Sequence, residues 1–194
     1  MNKFLYLILS TLLLFSCASE EKDSIKSFPL DLKIENSIDS IINKMSIKEK
    51  VGQTCQITLD AVLKKDSSAK LIEPHQIDFD KLNQAILEYN VGSILNVSNH
   101  TFSLKKWNGL IKDIQAVALK TTHKVPVIYG VDAIHGATYI KNSTLFPQEI
   151  GLAATWDTSH AKKMAEITAY ETRASGVPWN FSPVLDLGRE PIWS

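Results

Sequence analysis

Pro126-Val127-Ile128-Tyr129-Gly130-Val131-Asp132-Ala133-Ile134-His135-Gly136 runs from an apolar, β-branched stretch directly into an aspartate and a histidine. A short apolar run bounded by proline and glycine reads as a buried strand. A carboxylate and an imidazole where such a strand meets its loop stand on the edge at which α/β folds bind ligands. There Asp132 can accept hydrogen bonds from two neighbouring ligand hydroxyls, and charge-assisted bonds of this kind are stronger than neutral ones. The same spacing also suits a turn-capping aspartate and a histidine bonded to backbone.

Two further runs have strand character: Val91-Gly92-Ser93-Ile94-Leu95 upstream and Trp179-Asn180-Phe181-Ser182-Pro183-Val184 downstream. Amphipathic helices alternate with them. Ile38, Ile41, Ile42 and Met45 recur at helical spacing, and Ser46-Ile47-Lys48-Glu49 has the Ser-x-x-Glu form of a capping box opening a second helix. Phe79, Leu82, Ile86 and Tyr89 mark a third, and Leu104, Trp107, Ile111, Ile114 and Ala118 a fourth. Asp157 can cap a fifth helix over about 159–174, which Gly176 and Pro178 end. Strands separated by helices predict α/β architecture with a largely parallel sheet. A closed (β/α)8 barrel typically takes ~250 residues, and the final segment from Leu187 to Ser194 is loop-like. The expectation is therefore the amino-terminal part of a TIM-like barrel, incomplete, rather than a small open sheet.

With 194 residues, 44% of them hydrophobic, and a formal net charge of zero, the chain can bury a sizeable core and gives no electrostatic argument for a nucleic-acid partner. Lys3 precedes an apolar run from Phe4 to Phe15, too short to span a bilayer and typical of an export signal. Leu14-Phe15-Ser16-Cys17 resembles a bacterial lipobox, in which the cysteine is acylated and becomes the mature amino terminus; the plainer alternative is an ordinary signal peptide with an incidental cysteine. Residues 1–17 are thus expected to be a lipoprotein signal with Cys17 as lipid anchor, residues 18–36 a polar tether, and residues 37–194 the folded domain, in the periplasm or at the cell surface on the outer membrane. Ser19-Glu20-Glu21 resembles an acidic surface-export tag. Cys55 is then the one remaining thiol, which excludes an internal disulfide, and it reads as a small buried apolar side chain.

Metal chemistry finds no support in spacing: His75, His100, His123, His135 and His160 are scattered singly, with no H-x-H or H-E-x-x-H pattern, and no metal or other cofactor is expected. There is no G-x-S-x-G elbow and no glycine-rich phosphate loop ending in Lys-Ser/Thr. Glu149, Glu171 and Asp186 read as structural carboxylates. Trp156 and Trp179 are candidates for ring-stacking platforms as well as for the core.

Taken in order, the motifs resemble glycoside hydrolase family 3 from about Met45 to the last residue. Met45-Ser46-Ile47-Lys48-Glu49-Lys50-Val51-Gly52-Gln53 is similar to that family's opening segment and Val91–Leu95 to its first barrel strand. Pro126–Gly136 is similar to its P-x-x-Y-G-x-D-x-x-H-G motif, and Thr144-Leu145-Phe146-Pro147 to the T-x-F-P that follows. Gly151-Leu152-Ala153-Ala154-Thr155-Trp156-Asp157 and Asn180-Phe181-Ser182-Pro183-Val184-Leu185-Asp186-Leu187-Gly188-Arg189-Glu190-Pro191 complete the set. Ile192 and Ser194 depart from the usual ending, which loosens the subfamily assignment. Asp132-Ala133-Ile134-His135-Gly136 favours the β-glucosidase branch over the β-N-acetylhexosaminidases, which have D-x-E-G-G there.

The resemblance implies hydrolysis of terminal nonreducing β-D-glucosyl residues from β-linked glucosides and oligosaccharides with retention. Asp132 and Arg189 would bind the terminal sugar, His135 would support Asp132, and Trp156 would stack against substrate. It also implies a nucleophilic aspartate in an S-D-W-like segment, a glutamate acid in a later domain and a Lys-His pair, none of which this chain contains. The chain alone is expected to be inactive. The runner-up is a noncatalytic carbohydrate-binding surface lipoprotein.

Overall fold

The computed structural model describes residues 30–185, 188–190 and 192. The expected leader, Cys17, the tether up to residue 29 and Asp186 lie outside the described residues. Two compact units divide the chain between Ser40 and Ile41. Of the described residues of the first, all but Leu30 and Asp31 belong to helix α1 (Leu32–Lys44), which opens inside the stretch read as tether and continues past Ser40. Asp31 starts it by accepting from Lys33 N at 2.9 Å, a local capping signal that the polar composition of the tether conceals.

In the second unit the chain runs through α2 (Ile47–Gln53), β1 (Gln56–Thr58), a 3-10 turn (Leu59–Val62), α3 (Phe79–Asn83), β2 (Ser93–Leu95), α4 (Leu104–Ala118), β3 (Ile128–Val131), α5 (Glu149–Ala153), α6 (Thr158–Ala174) and β4 (Trp179–Asn180). The capping box forms as read: Ser46 Oγ accepts from Glu49 N at 3.2 Å, and Glu49 Oε2 from Ser46 N at 2.8 Å. Asp157 caps α6, accepting from Ser159 N at 2.8 Å. The third helix differs from its periodicity, because after Asn83 the backbone widens into a π turn over Gln84–Glu88.

The strands pair in parallel in the order β1-β2-β3-β4, the same as their order in the chain. Doubly wound sheets reverse direction at a switch point, whereas barrels add each strand to the same side. The four strands therefore wind as a barrel does, and the sheet is open at β1 and β4. β1 is a strand that the sequence reading missed, since its three residues Gln56-Ile57-Thr58 offer neither an apolar run nor a full alternation. Cys55, just before this edge strand, is exposed rather than buried, its Sγ 3.4 Å from the Val51 carbonyl oxygen.

Close backbone approach brings β1 beside β2. A Cβ at Gly92 would meet the Gln53 carbonyl oxygen at 2.3 Å, so only glycine lets the end of α2 lie against the start of β2. The core forms between sheet and helices around Leu59, Ile94, Trp107, Ile114 and Tyr129, all fully buried. Trp107 packs edge-on against both Phe102 and Tyr129, at 5.3 and 5.4 Å between ring centroids, and its indole N–H donates to the Tyr139 carbonyl at 2.8 Å. Gln115 on α4 clasps the strand entry at Val127, donating to its carbonyl at 2.7 Å and accepting from its N–H at 3.1 Å.

Candidate functional site

The carboxyl ends of the four parallel strands share one edge of the sheet, and Asp132 is the first residue beyond β3 on that edge. Asn96 is the first residue beyond β2. Its backbone is left-handed (φ 44°), a conformation that asparagine tolerates better than most residues. From there its side chain donates to Asp132 Oδ2 at 2.6 Å and accepts from Asp132 N at 3.0 Å. Across the other flank Asn180, the last residue of β4, accepts from Ala133 N at 3.0 Å and donates to the Ala133 carbonyl at 3.2 Å. An amide side chain carries the same donor and acceptor as a peptide group. Two asparagines thus continue the parallel ladder past the last paired residues and hold Asp132-Ala133 as if it were still strand.

Asp132 is half-buried, and among the described residues its second carboxylate oxygen has no partner. Among the described residues that oxygen is left open as an acceptor. Tyr139 lies close enough to feel the charge: burial first, and the Asp132 carboxylate second, raise its phenol above the ordinary value. Tyr129 beneath is raised further, by burial and then by Asp60 and Tyr139, and its hydroxyl donates to the Asn96 carbonyl. Asp60, in the turn after β1, accepts from Ser98 N at 3.2 Å and ties the β2 loop to β1.

His135 sits behind this edge with Nδ1 3.2 Å from the Phe146 carbonyl oxygen, and the Phe146 N–H donates back to the His135 carbonyl at 2.9 Å. Its role is to fasten the loop over 136–146. Gly136 turns that loop at φ 112°, where a Cβ would stand 2.2 Å from the Thr144 carbonyl oxygen. Glu171 on α6 accepts from Thr144 N at 2.9 Å and from Thr144 Oγ1 at 2.9 Å, the structural role read for it.

The remaining sequence candidates are less bound. Arg189 lies exposed on a turn beyond β4, and pairs with no carboxylate among the described residues. Trp156 stands between α5 and the Asp157 cap of α6 in a left-handed conformation (φ 55°) and is 94% exposed. It borders a mainly apolar groove of about 750 Å3 that runs along Met164 and Ala165 of α6 and reaches Ala133 and Asn180. Trp179 stands edge-on to Phe181 at 4.6 Å between ring centroids. Elsewhere on the strand-end edge, Glu73, His75 and His100, which nothing in the sequence spacing connects, converge so that one ligand atom of each lies within 4.8 Å of the others.

Sequence reasoning singled out Asp132 and His135 but not Asn96, Asn180 and Asp60, which the structure gathers around the same strand ends. The available signal was positional: each is a short polar side chain at or just past the end of a strand.

A family model described as "Glycosyl hydrolase family 3 N terminal domain" matches residues 46–194. Lysosomal beta glucosidase of Dictyostelium discoideum is 38% identical over 168 residues, 81% of this chain and 19% of that protein. Periplasmic beta-glucosidase of Salmonella typhimurium is 24% identical over 80% of this chain and 17% of that protein. Among solved structures, an exo-1,3/1,4-beta-glucanase from a Pseudoalteromonas species superposes with a TM-score of 0.67 at 26% identity, over 85% of this chain and 19% of that chain. A beta-glucosidase from Listeria innocua in complex with glucose gives 0.56 at 27% identity, over 81% and 20%. The chain spans about a fifth of the length of these relatives.

Proposed function

The chain belongs to glycosyl hydrolase family 3, and on that premise we propose that it supplies the amino-terminal barrel portion of a β-glucosidase acting on terminal nonreducing β-D-glucosyl residues. The observation that carries this reading is the half-buried Asp132, with one oxygen tied by Asn96 and the other left to accept from substrate. A carboxylate held in this way orients a sugar through hydroxyls that do not react, and such remote binding energy serves the reacting centre. Arg189 donates to the same sugar, His135 fixes the loop behind Asp132, and Trp156 offers an exposed ring face for stacking.

Retention of configuration requires two carboxyl groups ~5–5.5 Å apart, one attacking the anomeric carbon and one protonating the leaving oxygen. We assign neither to these 194 residues, so the chain alone is proposed to be inactive. It is proposed to reach the periplasmic face or the cell surface as a lipoprotein anchored through Cys17. Metabolic labelling with a fatty acid that is lost in Cys17→Ser tests the anchor.

The test of function is hydrolysis of chromogenic β-glucosides and β-xylosides by the purified chain, beside the same chain extended through the codons that follow at its locus. Turnover of the β-glucoside by the extended protein alone is the expected result. Sustained turnover by the 194 residues overturns the assignment of both catalytic carboxylates elsewhere. Activity in neither, with glucoside binding retained, replaces the enzyme by a carbohydrate-binding lipoprotein.

A further inference from the structure

Between the 3-10 turn and α3 the chain makes a narrow excursion. Leu63 bridges Ile77 and Lys65 bridges Leu71, both antiparallel, with Lys64 N donating to the Gln76 carbonyl at 2.9 Å and Ile72 N to the Lys64 carbonyl at 3.1 Å. Its returning arm carries Glu73 and His75. Facing it is the loop after β2, which turns through left-handed Asn96 and Asn99 and carries His100. The His75 and His100 rings stack at 4.3 Å between centroids and 22° between planes, and Phe102 closes the far side at 5.7 and 4.8 Å.

Two features go beyond aromatic packing. His75 is only 5% exposed, yet among the described residues its Nδ1 has no hydrogen-bond partner, and a buried polar atom left unpaired is costly. In addition, a carboxylate stands within 4.8 Å of both imidazoles, on the side that is open to solvent. We propose that Glu73, His75 and His100 bind a divalent transition-metal ion, zinc before others, which pins the β1 excursion to the β2 loop.

The donor set decides the class of ion. Two imidazole nitrogens and one carboxylate oxygen suit zinc, while calcium and magnesium prefer oxygen ligands. Tetrahedral zinc with bonds of about 2.0–2.1 Å places its ligand atoms about 3.3 Å apart, so the three groups draw in by at most about 1.5 Å from the 4.8 Å spread. Glu73 is exposed and His100 half-buried, so both can rotate inward while buried His75 stays in place. The solvent side leaves room for a water as fourth ligand. Because the loop that bears His100 begins at Asn96, an ion here also steadies the residue that orients Asp132. Its part is positioning, with no share in bond cleavage.

The test is zinc binding by the full chain carrying no affinity-tag histidines, stripped with a chelator and titrated by calorimetry, with cobalt(II) as a visible-absorption probe. One equivalent per chain is expected, with a rise in melting temperature and the visible absorption bands of a four-coordinate cobalt site. His100→Gln is expected to weaken zinc binding at least about a hundredfold, the upper end of what losing an outer partner of a ligand costs. Glu73→Gln is expected to weaken it about tenfold, and exposed His160→Gln not at all. Far-ultraviolet circular dichroism checks that each variant is folded. Absence of stoichiometric zinc, or binding that survives His100→Gln in a folded protein, overturns the proposal. None of these readouts involves a glycoside, so they stand or fall apart from the glucosidase reading.

Discussion

Asp132 and Arg189, the two residues proposed to hold a sugar, both follow strands of the same sheet in the chain but stand under opposite conditions. Asp132 is clamped on both flanks: Asn96 grips its carboxylate and its N–H, and Asn180 grips the next residue. Arg189 is exposed on a turn and has no carboxylate partner among the described residues. Orientation and chemistry are thus separable. The acceptor is aimed by its own sheet, whereas the donor has reach but no aim from the groups described around it.

The largest test of that contrast is Asp132→Ala in the extended protein. Two charge-assisted bonds at about 1.5–3 kcal/mol each predict a fall in kcat/KM of roughly two to four orders of magnitude. Kinetics near the unaltered value would remove Asp132 from the sugar site. Next, Gly136→Ala should destabilise the fold by roughly 2–3 kcal/mol through strain at positive φ, with the close contact to Thr144 adding to it. A urea midpoint that does not move would show that the loop behind Asp132 is not held as described.

Asn96→Gly sharpens the comparison, since glycine keeps the left-handed backbone and removes only the clamp. It is expected to cost about 1–2 kcal/mol in stability and to couple with Asp132→Ala in a double-mutant cycle, while combining additively with Arg189→Ala. Coupling to Arg189 instead would show the two residues to be aimed together. Arg189→Ala alone should change stability by less than about 0.5 kcal/mol, as exposed positions do.

The smallest effect lies away from the strand-end edge, where Glu49 bonds Ser46 and sits 3.3 Å from His123. The Ser46 hydrogen bonds first, and His123 after them, lower the Glu49 carboxyl below its ordinary value of 4.5. Its contribution is complete above that value and is lost as pH falls through the lowered one. Glu49→Gln should therefore slightly flatten the loss of stability in acid, and Asn96→Gly should leave that limb unchanged. An acid limb that moves only with Asn96→Gly would reverse the assignment.

Much of this was legible from local signals. Ser46 and Asp157 announce helix starts because capping is decided within a single turn, and β3 announces itself because its buried run stops abruptly at Asp132. What was not legible depends on register between parallel strands. Asn96 and Asp132 are 36 residues apart and meet only because Leu95 pairs with Gly130. His75 and His100 likewise lie on separate loops, and no spacing rule links them. Cys55 was misread because the sheet edge, unlike a central strand, leaves its neighbours uncovered, and an edge is a property of the assembled sheet. The spacing of Ile38, Ile41, Ile42 and Met45 marked the helix Leu32–Lys44, but its opening residues, 32–36, were read as tether because their polar composition hid the start.

The side-chain clasps made by Asn96, Asn180 and Gln115 have an evolutionary corollary. Strands of two to four residues have few peptide bonds with which to register a sheet, and here amide side chains supply part of the registration from outside the strands. A loop beyond such a clasp can lengthen, shorten or change its sequence without unzipping the ladder beneath it. Substrate preference can then drift at the edge of the sheet while the alignment of the strands is inherited unchanged.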